Sequence, residues 1–394
     1  LPPVSNVAPR SAPVEPLMPS GREPRQPVAD GPYMRHGHAP MRAETVRANV
    51  QCVRWNTGED LHMKASVLTA FGPPEVLQVG EVATPVAGEH EVLIRVRATT
   101  VTFADRLVRN FAAVSPRAFH MPWLFWLISK LSFGFRTPRV RILGSEFSGT
   151  VEGVGARVTQ FKPGDAVYGF RGARMGAYAE YLCMNERGML ARKPATLTFE
   201  EAASLPYGAL MAMALLRTLG LQRGQRLLVV GASGGIGRWV VQLAAQHVGA
   251  TVTGVCGSDG MEFVRALGAT TVIDYTRERF VDRPESYDVI VDILGTSSFA
   301  RCRRILAPRG RLVYVSFKVK QLLQMLWTSV VGDRTLRCVV LVERREDLDT
   351  VRALVEAGTL RPIVDRLFPL AEAAAAHRYA EGGANRGAVV ISVA

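Results

Sequence analysis

The chain has 394 residues, 48% of them hydrophobic, enough to bury one large core or two moderate ones. Its formal charge of +13 suits anionic partners, yet the basic residues are scattered and no Lys/Arg run interleaves with aromatics, which argues against a nucleic-acid surface. The five cysteines, Cys52, Cys183, Cys256, Cys302 and Cys338, stand apart with no CxxC pair, so free thiols in a reducing compartment, the cytoplasm, are expected rather than a metal or redox motif.

Residues 1–62 are Pro-rich and aperiodic, which predicts a disordered extension or an upstream translation artefact, because such a segment cannot offset its ordering entropy by burial. It has neither the apolar run of a secretory signal nor the acid-poor composition of a transit peptide. From Met63 the signals are short strands between turns. Val92, Ile94 and Val96 alternate with Leu93, Arg95 and Arg97, and Lys162-Pro163-Gly164-Asp165 turns into Ala166-Val167-Tyr168-Gly169. A compact, mostly antiparallel β domain over 63–195 follows.

After Pro194 strands and helices alternate, which implies right-handed crossovers and a parallel sheet covered on both faces over 196–332. The strands are expected at Arg226–Val230, Thr251–Cys256, Thr271–Asp274, Asp288–Asp292 and Arg311–Ser316, with helices at Ile236–His247 and Met261–Leu267 between them. The segment Leu360–Ala394 is expected to be extended again, so that 333–394 completes the first domain.

Leu227-Leu228-Val229-Val230-Gly231-Ala232-Ser233-Gly234-Gly235-Ile236-Gly237 is an apolar strand, a glycine turn and a helix start. Glycine permits the tight turn and lets backbone amides approach a pyrophosphate at the helix N-terminus. A glycine triplet alone is weak evidence, but here it has the strand-turn-helix context and a second strand follows at the right distance. Gly231, Ser233, Gly234, Gly235, Ile236 and Gly237 are therefore the expected cofactor cradle.

This turn, followed by Val241-Gln242-Leu243-Ala244, resembles the nucleotide motif of the quinone oxidoreductase branch of the zinc-independent medium-chain dehydrogenases/reductases. The similarity continues through Leu143-Gly144-Ser145-Glu146-Phe147-Ser148-Gly149, Phe161-Lys162-Pro163-Gly164-Asp165, Gly176-Ala177-Tyr178-Ala179-Glu180-Tyr181 and Val272-Ile273-Asp274-Tyr275. The resemblance implies an α/β chain, with a GroES-like β-rich catalytic domain and a Rossmann-type doubly wound domain, whose site lies between them. It also implies a homodimer.

Zinc-dependent relatives carry Cys and His where this chain has Thr102 and Ser145, and hydroxyls are poor zinc ligands, so no metal is expected. Without that Lewis acid the acceptor itself must spread the arriving negative charge, which favours a small apolar conjugated acceptor, a quinone or enone. The alternatives are a zinc-free alcohol dehydrogenase and, in another class, a low-turnover nucleotide-binding partner protein at membranes. Thr102, Asp105 and Tyr207 are the candidate catalytic residues, and Asp105 and Arg109 keep the family spacing, although a helix-capping or ion-pairing role fits both equally. Tyr207 lies near the family's nicotinamide-facing segment and has a hydroxyl able to donate, although core packing fits it better.

For the adenosine end, Ser258 suits a 2′-phosphate whereas Asp259 suits the 2′-hydroxyl of NAD, and Tyr275 and Arg386 match family positions that favour NADP. NADP is expected, with NAD possible. Two apolar segments remain. Met121–Ile128 is too short for a transmembrane span and reads as a lid, a surface anchor or core, and Val319–Val331 as a cleft closure or subunit contact.

Overall fold

The computed structural model describes residues 62–393 apart from His120, Leu341 and Ala384, so the expectation for residues 1–61 lies outside the described residues. The first strand, β1 (His62–Leu68), opens one residue before Met63 and pairs antiparallel with β2 (Leu77–Ala83). The long β3 (Glu91–Thr100) leads into α1 (Phe103–Arg109) and α2 (Trp123–Phe133). Four strands follow: β4 (Glu146–Val154), β5 (Ala166–Phe170), β6 (Tyr181–Asn185) and β7 (Leu190–Arg192). Val92, Ile94 and Val96 are buried and Arg95 is exposed, as the period of two requires. Leu93 is buried as well, because β3 sits inside a seven-stranded sheet and pairs with β4, β6 and a C-terminal strand.

Helices α3 (Phe199–Ala203) and α4 (Pro206–Leu219) introduce the second sheet. Its strands are β8 (Arg226–Val230), β9 (Thr251–Cys256), β10 (Thr271–Asp274), β11 (Tyr287–Asp292), β12 (Leu306–Tyr314) and β13 (Thr335–Cys338). Four helices lie among them: α5 (Gly237–Gln242), α6 (Met261–Ala266), α7 (Phe299–Cys302) and α8 (Val319–Val330). The six strands are parallel in the order β10-β9-β8-β11-β12-β13. The order reverses beside β8, the switch point at which doubly wound sheets bind ligands. Along β8, Leu227 and Val229 pack into one apolar layer and Leu228 and Val230 into the other, so both faces of the sheet are covered.

Two expectations need correction. The stretch from Leu360 onward is not wholly extended. Between β14 (Val364–Pro369) and β15 (Ala388–Ser392) lies α10 (Ala373–Glu381), whose alanines favour a helix and whose Ala376 and Ala380 face the core. The parallel sheet also runs past residue 332, since β13 pairs with β12, and α9 (Arg345–Glu356) packs on α4. As expected, β15 returns to the first sheet and pairs with β3.

A buried polar chain locks α10 to α1. Arg109 donates to the Nδ1 of His377 at 3.0 Å and to the carbonyl of Gly72 at 3.1 Å, and it pairs with Glu381. With Nδ1 accepting, Nε2 carries the proton and donates to the Tyr178 hydroxyl at 2.9 Å, which donates in turn to the carbonyl of Thr100 at 3.2 Å. Arg109 thus has the ion-pairing role. Burial, then the neighbouring Arg109 and Arg106, push His377 down to about 3, so its ring is neutral in the fold.

Between the ordinary histidine value of 6.5 and about 3 the unfolded chain binds the proton that the folded chain refuses. The stabilisation from neutral His377 is therefore complete above the ordinary value and lost as pH falls, by about 2 kcal/mol at about pH 5. Denaturant unfolding of the native protein and a His377→Gln variant at pH 7.5 and pH 5 checks this. The native protein should lose about 2 kcal/mol more than the variant over that interval; equal losses would remove the assignment.

Candidate active site

The glycine turn follows β8. Gly231 has φ +87°, a left-handed conformation that disfavours any side chain. A Cβ on Gly237 would collide with the carbonyl oxygen of Gly231, so the start of α5 can close under the turn only without one. A Cβ on Gly234 would lie 3.3 Å from the same oxygen, whereas one on Gly235 meets nothing within 4 Å. Gly234 and Gly235 are exposed, and Ser233 and Ile236 flank them half-buried. A side-chain-free, solvent-facing rim at a helix start fits a pyrophosphate, so these residues suit a dinucleotide.

The four residues expected at the adenosine end come together. The Ser258 hydroxyl donates to Asp274 and lies 3.1 Å from the Thr276 hydroxyl. Arg386, from the C-terminal segment, donates to the carbonyl of Asp259 at 3.0 Å and approaches its carboxylate at 3.5 Å. Tyr275 is exposed, its hydroxyl beside Gly257. Hydrogen bonds from Ser258 and Thr276 hold the Asp274 carboxyl below its ordinary value.

The candidate catalytic residues divide. Thr102 caps α1: its hydroxyl donates to Asp105 at 2.5 Å and accepts from the Asp105 amide at 3.2 Å. The Asp105 carboxylate also accepts from the amides of Thr102 at 2.8 Å and Gly144 at 2.9 Å, and the residue is wholly buried. Burial raises the Asp105 pKa and these bonds oppose the rise. Thr102 and Asp105 thus form a closed capping box that ties α1 to the Gly144 loop. The Ser145 hydroxyl lies 3.1 Å from that of Thr102, so the two positions where relatives carry Cys and His do converge. They converge as a hydrogen-bonded hydroxyl pair, which does not fit zinc. Among the described residues no three His, Cys, Asp or Glu side chains gather as a metal would need.

Tyr207 stands elsewhere, in the first turn of α4. Its amide donates to Glu146 at 2.6 Å, and the next residue, Gly208, comes so close to Trp239 and the Gly235 carbonyl that a Cβ there would collide with the indole and lie 2.7 Å from that oxygen. Tyr207 is therefore held between β4 and the glycine turn. Its hydroxyl has no hydrogen-bond partner among the described residues. Burial, then Glu146 and Asp105, push its pKa up to about 12, so the hydroxyl keeps its proton and is able to donate a hydrogen bond.

Two charged residues of the site were not singled out from sequence. Glu146, buried on β4, accepts from Thr100 and from the Tyr207 amide, and burial pushes its pKa up to about 7. Arg238, buried at the start of α5, is pushed down to about 10 by desolvation against the pull of Glu146 and Asp365, and its Nε has no partner. The available signal was a charge inside an apolar strand and another inside an apolar helix. An open groove of about 590 Å³, lined by Met325, Leu326, Leu336 and Val340 among others, lies between α8 and β13 and includes none of these site residues.

Two family models match the chain: "Alcohol dehydrogenase GroES-like domain" over residues 88–195 and "Zinc-binding dehydrogenase" over 267–391. The chain is 32% identical to the mitochondrial NAD(P)H oxidoreductase RTN4IP1 of Mus musculus, with 84% of this chain and 89% of that protein covered. It is 30% identical to the 2-methylene-furan-3-one reductase of Solanum lycopersicum, covering 84% and 79%. Among solved structures, the quinone oxidoreductase of Coxiella burnetii superposes with a TM-score of 0.73 at 28% identity, covering 85% of this chain and all of that one.

The glycine geometry separates cofactor binding from folding. Gly235→Ala should leave the melting temperature unchanged and weaken NADPH binding about tenfold, because the new methyl enters only the space a pyrophosphate would occupy. Gly237→Ala should lower the melting temperature by several degrees, because its methyl meets backbone that cannot yield. Calorimetry with and without cofactor measures both. Unchanged NADPH affinity in Gly235→Ala would defeat this placement.

Proposed function

Because the chain belongs to the quinone oxidoreductase branch of the medium-chain dehydrogenases/reductases, we propose that its NAD(P)H-dependent reaction is the reduction of a bulky apolar quinone or conjugated enone, without zinc. The observation that supports this reading is the placement of Tyr207, whose backbone is held between Glu146 and the glycine turn and whose protonated hydroxyl has no hydrogen-bond partner among the described residues. When bound, the dihydronicotinamide supplies the hydride. Reduction of a conjugated carbonyl moves charge to its oxygen, and the Tyr207 hydroxyl is the donor proposed to receive that charge. Glu146 positions it by holding its amide. With Thr102 and Asp105 spent on the cap, we assign them to orienting the loop at Gly144 and Ser145, and delocalisation within the acceptor replaces a metal.

We further propose NADP rather than NAD. Ser258, Tyr275 and Arg386 would receive the 2′-phosphate, with Arg386 moving from Asp259, whose carboxylate otherwise suits a ribose hydroxyl. We place the enzyme in the cytoplasm on its isolated cysteines, although one relative is named as mitochondrial. Among the described residues no helix is long and apolar enough to cross a membrane. A homodimer is the proposed assembly.

Three experiments test these readings. Tyr207→Phe should lower kcat for an enone about 100-fold while leaving NADPH affinity and melting temperature near the native values, and turnover should survive chelation of metals. Native kcat in this variant would remove Tyr207 from the chemistry, and activity abolished by removing stoichiometric zinc would refute the metal-free reading. Arg386→Ala should raise the KM for NADPH about tenfold and that for NADH little. An equal effect on both would leave Arg386 structural.

A further inference from the structure

Helix α2 turns the usual pattern inside out. A surface helix normally buries its apolar side and exposes its charges. In α2 the one charged residue, Lys130, is buried, its Nζ donating to the carbonyl of Phe111 at 3.3 Å and lying over the Phe111 and Trp126 rings. Trp126 also faces inward and donates to the carbonyl of Val114 at 2.7 Å. Outward stand Trp123, 57% exposed, with Leu124, Ile128 and Leu131 at helical spacing. Helix α8 also turns apolar residues outward. Leu322 and Met325 pack inward, while Leu323, Leu326 and Trp327, 67% exposed, face out. The two helices are joined at their starts, where Met121 packs in the same cluster as Leu322 and Lys318 donates to the carbonyl of Arg117 at 2.6 Å.

Charge says what this apolar surface meets. No Asp or Glu occurs from Arg106 to Ser145 or from Ile293 to Gly332, the two stretches that carry these helices. Arg117, Arg136, Arg139, Arg141, Lys318 and Lys320 are exposed, and among the described residues none of them is in an ion pair. Exposed tryptophans and leucines framed by unpaired cations match an anionic bilayer surface, where indole rings settle at the headgroup level and basic side chains meet phosphate. A second copy of this chain would bring the same cations against themselves.

We propose that α2 and α8 together dock the protein on an anionic lipid surface, as a peripheral contact that spans nothing. The full chain should sediment with phosphatidylcholine vesicles containing phosphatidylserine, much less with pure phosphatidylcholine, and less at high salt. A Trp123→Ser, Trp327→Ser double variant should bind about tenfold more weakly, with unchanged melting temperature and unchanged reduction of a water-soluble quinone. Brominated lipids should quench the tryptophan fluorescence of the unaltered protein, which detects the same contact without any variant. The proposal is overturned if the native chain binds neither vesicle, if the double variant binds as tightly as the native chain, or if the tryptophans are covered in a dimer and brominated lipid leaves them unquenched.

Discussion

The close approach of backbone to backbone at the glycine turn is the constraint on which the site depends. Gly237 lies so near the Gly231 carbonyl, and Gly208 so near Trp239 and Gly235, that the starts of α4 and α5 fit around the turn only because neither glycine has a Cβ. That packing leaves Gly234 and Gly235 at the surface and sets the amide of Tyr207 against Glu146. A carboxylate on β4 of the first sheet thereby fixes the backbone of Tyr207 beside the turn of the second. The two sheets are coupled through the residue proposed to donate, so the donor's position is set by rigid elements rather than by a loop.

The first sheet gathers its buried polar groups around the start of α1. Thr102 and Ser145 converge, but Thr102 is committed to Asp105, and Asp105 to the amides that orient α1 and Gly144. Burying a carboxylate is costly unless it accepts several hydrogen bonds, and Asp105 accepts them from the cap and the loop alike. The neighbouring buried groups follow the same rule in opposite directions. His377 is kept neutral by burial and by the arginine at its Nδ1, and Glu146 rises toward neutrality because burial outweighs its two donors.

The surface follows a different logic. Lys130 is buried although lysine is among the residues least often enclosed, and the carbonyl of Phe111 and two aromatic faces compensate it there. That inversion leaves the outer side of α2 apolar apart from Ser132, and α8 extends it. The groove between α8 and β13 borders the same apolar ground yet stands apart from the glycine turn, so docking and chemistry draw on separate residues.

The sequence by itself determined what local periodicity and turn chemistry carry. The strands at Arg226–Val230, Thr251–Cys256 and Thr271–Asp274 are where alternation and glycine punctuation put them, and the return of residues 388–392 to the first sheet was legible too. It also supplied the glycine turn, a short motif whose spacing is its own evidence, whereas Tyr275 and Arg386 were reached only through the family resemblance. What it left open depends on partners distant along the chain. That the Asp105 carboxylate holds the Gly144 amide, and that Glu146 holds an amide of α4, follow only when these elements are packed together. Which side of α2 faces out was equally undetermined, because Trp123 and Trp126 are alike in sequence and differ only in that the folded chain offers Trp126 the Val114 carbonyl and gives Trp123 to the surface. Hydrogen-bond commitment and burial belong to the assembled fold, and a local pattern does not contain them.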